Sequence, residues 1–157
     1  MGLVGHGIRE RQLRGPRRAG APPELVVIAV RRYRCRHCGA VCTVVPQGVI
    51  RRRHFSAGAI GWTLFLLGHE RLSSRVIRDR VGGHGSPEAG AWVTPGRWLK
   101  AIEGQRLFRI RASLAGSTLQ RAERVAMVLV SFAPPALERT PLGEQAFAAA
   151  EVLAQVA

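Results

Sequence analysis

Arg31-Arg32-Tyr33-Arg34-Cys35-Arg36-His37-Cys38-Gly39 sets two thiols three positions apart inside a run of arginines. A Cys-x-x-Cys followed by Gly lets two thiolates converge on one cation, because Gly takes the positive φ that the tight turn needs. The flanks read as the two arms of a hairpin. Glu24 to Val30 is rich in β-branched residues, and Ala40 to Val45 is closed by Pro46. The stretch predicts half of a zinc ribbon, with Cys35 and Cys38 as ligands. A tetrahedral site needs further ligands, and there is no second Cys-x-x-Cys in the sequence. His6, His37, Cys42, His54 or groups outside the chain are the candidates. His37 is expected to face solvent and Cys42 to be a packed thiol. Zinc is thus the expected cofactor, at a site these two thiols leave incomplete. A redox Cys-x-x-Cys is disfavoured, since no βαβ pattern surrounds it.

A length of 157 residues allows one ordinary domain or two small ones. A hydrophobic content of 46% with 22% charged residues is that of a globular chain. The net charge of +14 is unevenly placed. Residues 1–111 hold 21 basic residues against 6 acidic ones, and residues 112–157 hold 3 against 4. Such an excess predicts a polyanion partner, most simply DNA. All the basic residues but Lys100 are arginines. Coding bias toward Arg would raise their number but would not confine the excess to one part of the chain. Three cysteines within eight positions argue against a disulfide framework and for a reducing, cytoplasmic setting. The N-terminus has no apolar signal segment. The apolar run from Ala57 to Leu67 is too short to span a bilayer, so no membrane partner is expected.

The expected fold class is α+β, mainly α. Residues 1–23, rich in Gly and Arg with breakers at Gly15-Pro16 and Pro22-Pro23, read as a basic arm. Residues 24–50 form the incomplete ribbon hairpin. Residues 51–112 form a helical domain resembling a helix-turn-helix. Its first helix is capped by Ser56, carries a stripe of Ala57, Ile60, Leu64 and Leu67, and ends at Gly68. The second, capped by Ser73 or Ser74 and running to Val81, buries Val76, Ile77 and Val81 beneath Arg75, Arg78 and Arg80. The third has Thr94 as its cap and Pro95 at its first position. It buries Pro95, Trp98, Leu99 and Ile102 and turns Arg97, Lys100 and Glu103 outward. The connection from Val81 to Thr94 is longer than the usual three- or four-residue turn. Residues 105–116 alternate as a strand or extended connection would. Residues 113–157 form a helical pair. The capping box Ser117-x-x-Gln120 opens the first of these helices, with Leu119, Ala122, Val125, Ala126 and Leu129 as its core face. Pro134-Pro135 stops it, and Thr140-Pro141 starts the last. The pair is expected to pack on the central helices or on a second copy, making a homo-oligomer.

Enzymatic chemistry is not expected. Strand transfer on nucleic acid needs clustered carboxylates holding two metal ions, and the chain has one aspartate, Asp79, set among arginines. No third group orients a Cys–His pair, and no Gly-rich phosphate loop follows a strand.

Val30 to Gly39, then Val44-Val45-Pro46-Gln47-Gly48, the arginines at 51–53, Phe55-Ser56-Ala57 and an apolar helix resemble a known module. It is the N-terminal zinc-ribbon-plus-helix-turn-helix module of bacterial insertion-sequence transposases and of small transposon-associated proteins of unknown function. The resemblance spans residues 4–103 and implies DNA binding. In that family a first Cys-x-x-Cys precedes the segment matching Gly5-His6-Gly7, where this chain has Met1, so the metal site is expected to be incomplete. The family's catalytic domain has no counterpart here, so strand transfer is not implied. Arg31, Arg32, Arg34, Arg36, Arg51, Arg52 and Arg53 are the candidate phosphate contacts. Arg97 and Lys100 are the candidates for the groove. Two other classes remain open. One is a non-catalytic accessory or relic interaction protein of a mobile element. The other is an RNA-binding ribbon that stacks bases on Tyr33, Trp92 or Trp98.

Overall fold

The computed structural model describes residues 2–82, 92–112 and 115–154. Strands β1 (Leu3–Gly15), β2 (Glu24–Cys35) and β3 (Val41–Val44) form an antiparallel sheet in that order. Five helices follow, α1 (Ala57–Gly68), α2 (Ser74–Val81), α3 (Thr94–Glu103), α4 (Thr118–Ser131) and α5 (Leu142–Leu153), with a short 3-10 turn at Pro135–Leu137. The fold is α+β.

The β-branched run of β2 finds its partner where an arm was expected. Residues 3–15 pair along β2, from Leu3 opposite Cys35 to Gly15 opposite Glu24. Nothing in this segment alternates cleanly between apolar and polar, so it has no core face of its own; the pairing with β2 makes it a strand. Its end is joined to the helical body. The Arg14 N–H donates to His54 O at 2.6 Å, and the Ser56 N–H donates to Arg14 O at 3.0 Å. Gly15 has φ +119°, and a Cβ there would run into the Ala59 side chain, so strand and helix approach at glycine distance.

All twelve residues of α1 are buried. The Ser56 hydroxyl caps the helix by accepting from Ala59 N–H at 3.1 Å, as its sequence context predicts. The buried Thr63 hydroxyl is satisfied within the helix, donating to Ala59 O at 2.7 Å. Gly68 is the last helical residue but not the cap. His69 takes the cap position in right-handed backbone. A side chain at Gly68 would collide with the backbone of Glu123 on α4. Helix α1 packs chiefly on α4 and α5, and also on α2 and α3. The C-terminal pair therefore covers the central helix of its own chain.

Several expectations are corrected in detail. Val76 of α2 is exposed, and Ile77 and Val81 alone carry its contact with the core. Ser73 caps α2. Thr94 is the first helical residue of α3 rather than its cap; Val93 holds the cap position with no side-chain bond. Pro95, Trp98, Leu99 and Ile102 are buried as predicted. Residues 105–112 form no strand, yet Leu107, Phe108 and Ile110 are all buried. Left-handed backbone at Gln105 and Phe108 and a bond from Gln105 Nε2 to Ile110 O at 2.9 Å fold this connection onto the core. The capping box of Ser117 and Gln120 is formed, but Leu119 is exposed and only Ala122, Val125, Ala126 and Leu129 of the expected face are buried. Most of the expected break at residues 82–87 lies outside the described residues. No helix among the described residues is long and apolar enough to cross a membrane.

Candidate nucleic-acid interface

Directly opposed residues of an antiparallel pair share a face. Arg9, Arg11 and Leu13 of β1 therefore stand on one face with Val26, Ile28, Val30, Arg32 and Arg34 of β2. The lower part of this face is apolar, and Val30 is fully buried. The upper part is basic. A bulge between Gly5 and Ile8 sets His6 and Gly7 opposite Arg32 alone, with Gly7 at φ +95°. The extra residue keeps Val4, opposite Arg34, on the same face as Arg9. Arg31 is on the other face, together with Tyr33, the exposed Leu3, Ile8, Leu25 and Val27, and Val44 of β3.

The basic face continues onto the turn at 50–53. The Arg53 N–H donates to Ile50 O at 3.2 Å, and Arg52 between them has φ +59°. Arg11 reaches across from β1: its Nη2 donates to Ile50 O at 2.7 Å and also to Arg53 O. Burial pushes the Arg11 guanidinium down from its ordinary value, and Arg9 adds to that effect. Phe55, two residues beyond the turn, meets Trp98 of α3 edge-on at 5.3 Å. The helix that exposes Arg97 and Lys100 is thereby anchored to the same segment.

Ion pairs among the described residues join Arg17 to Glu24 (2.8 Å), Arg71 to Glu123 (2.5 Å) and Arg121 to Glu103 (3.2 Å). None of these involves Arg31, Arg32, Arg34, Arg36, Arg51, Arg52, Arg53, Arg97 or Lys100. Arg31, Arg34, Arg36, Arg51, Arg52, Arg97 and Lys100 are exposed, and Arg32 and Arg53 are half-buried.

The two cysteines form a knuckle. The Gly39 N–H donates to Cys35 O at 3.0 Å with Gly39 at φ +70°, and the Cys35 N–H donates to Ala40 O at 2.8 Å. The Cys38 and His37 backbone N–H groups, with the Cys38 thiol, hold the Cys35 thiol below its usual range. Hydrogen bonds of this kind favour the thiolate, which is the form that binds metal. The Arg36 N–H donates to Gly2 O at 2.9 Å, and the Arg34 guanidinium lies over Gly39. Cys42 is exposed rather than packed, on β3 opposite Tyr33; His6, His37 and His54 are also exposed. Among the described residues, no group of three or more His, Cys, Asp or Glu side chains converges on a metal position. The knuckle has the donor chemistry for zinc but supplies only two of the ligands a closed site requires.

A cleft of about 320 Å³ lies where the sheet meets the helices. Leu13, Val26 and Ile28 form its apolar wall, and Glu151 of α5 enters from the other side. Burial pushes the Glu151 carboxyl above its usual range.

The structure thus brings Arg32 and Arg34 together on one face and adds Arg9 and Arg11, which the sequence alone places in a basic arm. Their place follows from register. The local pattern around them, interrupted by Gly5, Gly7 and Gly15, carries no hydrophobic period. No protein family, no curated protein and no solved structure matches this chain.

Proposed function

We propose that this chain binds nucleic acid, with duplex DNA as its first partner, through the basic face of the sheet and the 51–53 turn. The observation that carries the reading is a set of arginines without carboxylate partners among the described residues, arrayed on one rigid ribbon face and its adjoining turn. Buried scaffolds that present unpaired arginines suit phosphate contacts, which position a protein without reading sequence. The chain is a binding protein in this reading, without chemistry of its own, as a mobile-element accessory factor would be. The exposed Arg97 and Lys100 of α3 would contact the groove in the manner of a helix-turn-helix. Zinc would be held by Cys35 and Cys38 together with ligands from outside the described residues.

Changing Arg51, Arg52 and Arg53 together to Ala tests the phosphate role. It should weaken binding to any duplex about equally and flatten the slope of log K against log salt by up to about 2.7, at roughly 0.9 per phosphate neutralised. An unchanged slope would leave the cluster as a solvated turn. For the metal, the expected outcome is weak, sub-stoichiometric zinc in metal analysis of the purified chain. One tightly held zinc per chain would contradict a two-ligand half-site.

A further inference from the structure

The turn at 50–53 is built against its own preference. A turn closed by Arg53 N–H to Ile50 O with its third residue at φ +59° calls for Gly or Asn at that position, and Arg52 occupies it. A side chain in left-handed backbone stores strain and persists only where the surroundings hold it. Here the holder comes from 39 and 42 residues away in sequence. The Arg11 guanidinium donates through Nη2 to Ile50 O, at 2.7 Å, and to Arg53 O. Both ends of the turn are pinned to β1 by one planar group. The two acceptors are neutral carbonyls, so the clamp leaves the positive charge of Arg11 uncancelled beside Arg51, Arg52 and Arg53. A turn with Gly or Asn at position 52 would be easier to build. The arrangement spends strain and a half-buried charge on displaying three arginines at the edge of the basic sheet face.

We propose that Arg11 is a positioning residue. It fixes the 51–53 turn on the ribbon so that its arginines and those of the sheet meet one polyanion together. The inference rests on the nucleic-acid reading above, but it concerns a residue that contacts the turn and not the ligand. Its position in β1, on the face shared with Ile28 and beside Arg9, follows from register alone.

Arg11→Lys and Arg11→Met separate positioning from charge. Lys keeps the charge on a stem one bond shorter, so its ammonium stops short of the position from which the single Nη2 of Arg11 reaches both carbonyls. Met keeps an apolar stem and removes the charge. Two readouts are needed, trypsin cleavage after Arg51–Arg53 in the free protein and the salt dependence of duplex binding. Both variants should be nicked in the turn several-fold faster than the parent, with Lys behaving like Met. Both should also flatten the salt slope in the parent background and leave it unchanged in the Arg51/Arg52/Arg53→Ala background. If Lys behaves like the parent in both readouts, Arg11 acts through its charge and the proposal falls. Equal slope losses in both backgrounds, about 0.9 for Met, would make Arg11 an independent phosphate contact and would also overturn it. If Met fails to fold, the Lys variant decides alone. Should the triple Ala variant bind like the parent, the phosphate role of the turn fails by itself. Faster cleavage without any slope effect would then show a clamp serving only the fold, against the proposal.

Discussion

Glu151 shows how one residue couples the ribbon to the helices. It enters the cleft beneath the sheet, where Gly48, at φ +75°, leaves room for its carboxylate. Burial raises its proton affinity above that in the unfolded chain, where a Glu titrates near about 4.3. The folded state therefore binds the proton more tightly. The resulting stabilisation is fully present below the unfolded value and is lost as pH rises through the folded one. Arg14, Arg17 and Glu24 line the same cleft, and Arg17 is already engaged by Glu24 at 2.8 Å. Glu151→Gln should accordingly raise the melting temperature at neutral pH, with the gain shrinking to nothing in acid. Melts from pH 3 to 8 check this. A loss of stability at neutral pH would mean that the carboxylate has a favourable partner there.

Among the elements, α1 was legible and β1 was not. Ser56 before a largely apolar run, interrupted only by Gly58, Gly61 and Thr63, points to a mostly buried helix, and the structure buries every residue of it. The capping box of α4 was equally plain, because it lies in a few adjacent residues, whereas the cap of α2 stayed open between Ser73 and Ser74 until the structure showed Ser73. By contrast, β1 mixes Arg9, Glu10, Arg11 and Gln12 with three glycines, and only its partner strand shows which of these residues face alike. Leu107, Phe108 and Ile110 mislead for the opposite reason: left-handed backbone at Gln105 and Phe108 lets all three reach the core without a strand. At the candidate site, the knuckle turn and its Gly39 were readable locally. The Arg11 clamp, spanning some forty residues, was not. Helix α3 offers the test of the groove assignment. Trp98 is buried against Phe55 and Trp92, at 5.3 and 6.0 Å between rings. Trp98→Ala should cost about 3–5 kcal/mol. Arg97→Ala and Lys100→Ala should stay within about 0.5 kcal/mol of the parent in thermal melts. Their loss should instead cost roughly 1–3 kcal/mol on a selected DNA site and much less on random duplex. Parent-like binding by both on both substrates would remove α3 from the interface and favour an accessory role.

The molecule as a whole divides its labour. Buried α1, sandwiched by α4 and α5, supplies the rigid body. Helices α4 and α5, within the near-neutral residues 112–157, cover it, while the sheet and the 50–53 turn lie in the strongly basic residues 1–111. A protein of net charge +14 attracts any polyanion; the arrangement of its arginines on one ribbon face is what argues for a defined phosphate track. The direct test is the affinity of the intact protein for duplex DNA over a salt series, with structured RNA and heparin as competitors. If six to ten phosphates are contacted, affinity should fall by about 10³–10⁵ between roughly 50 and 200 mM salt, linearly in log–log form. Duplex should compete better than structured RNA. Absence of duplex binding at about 50 mM salt, or an affinity indifferent to salt, would contradict a phosphate-binding ribbon.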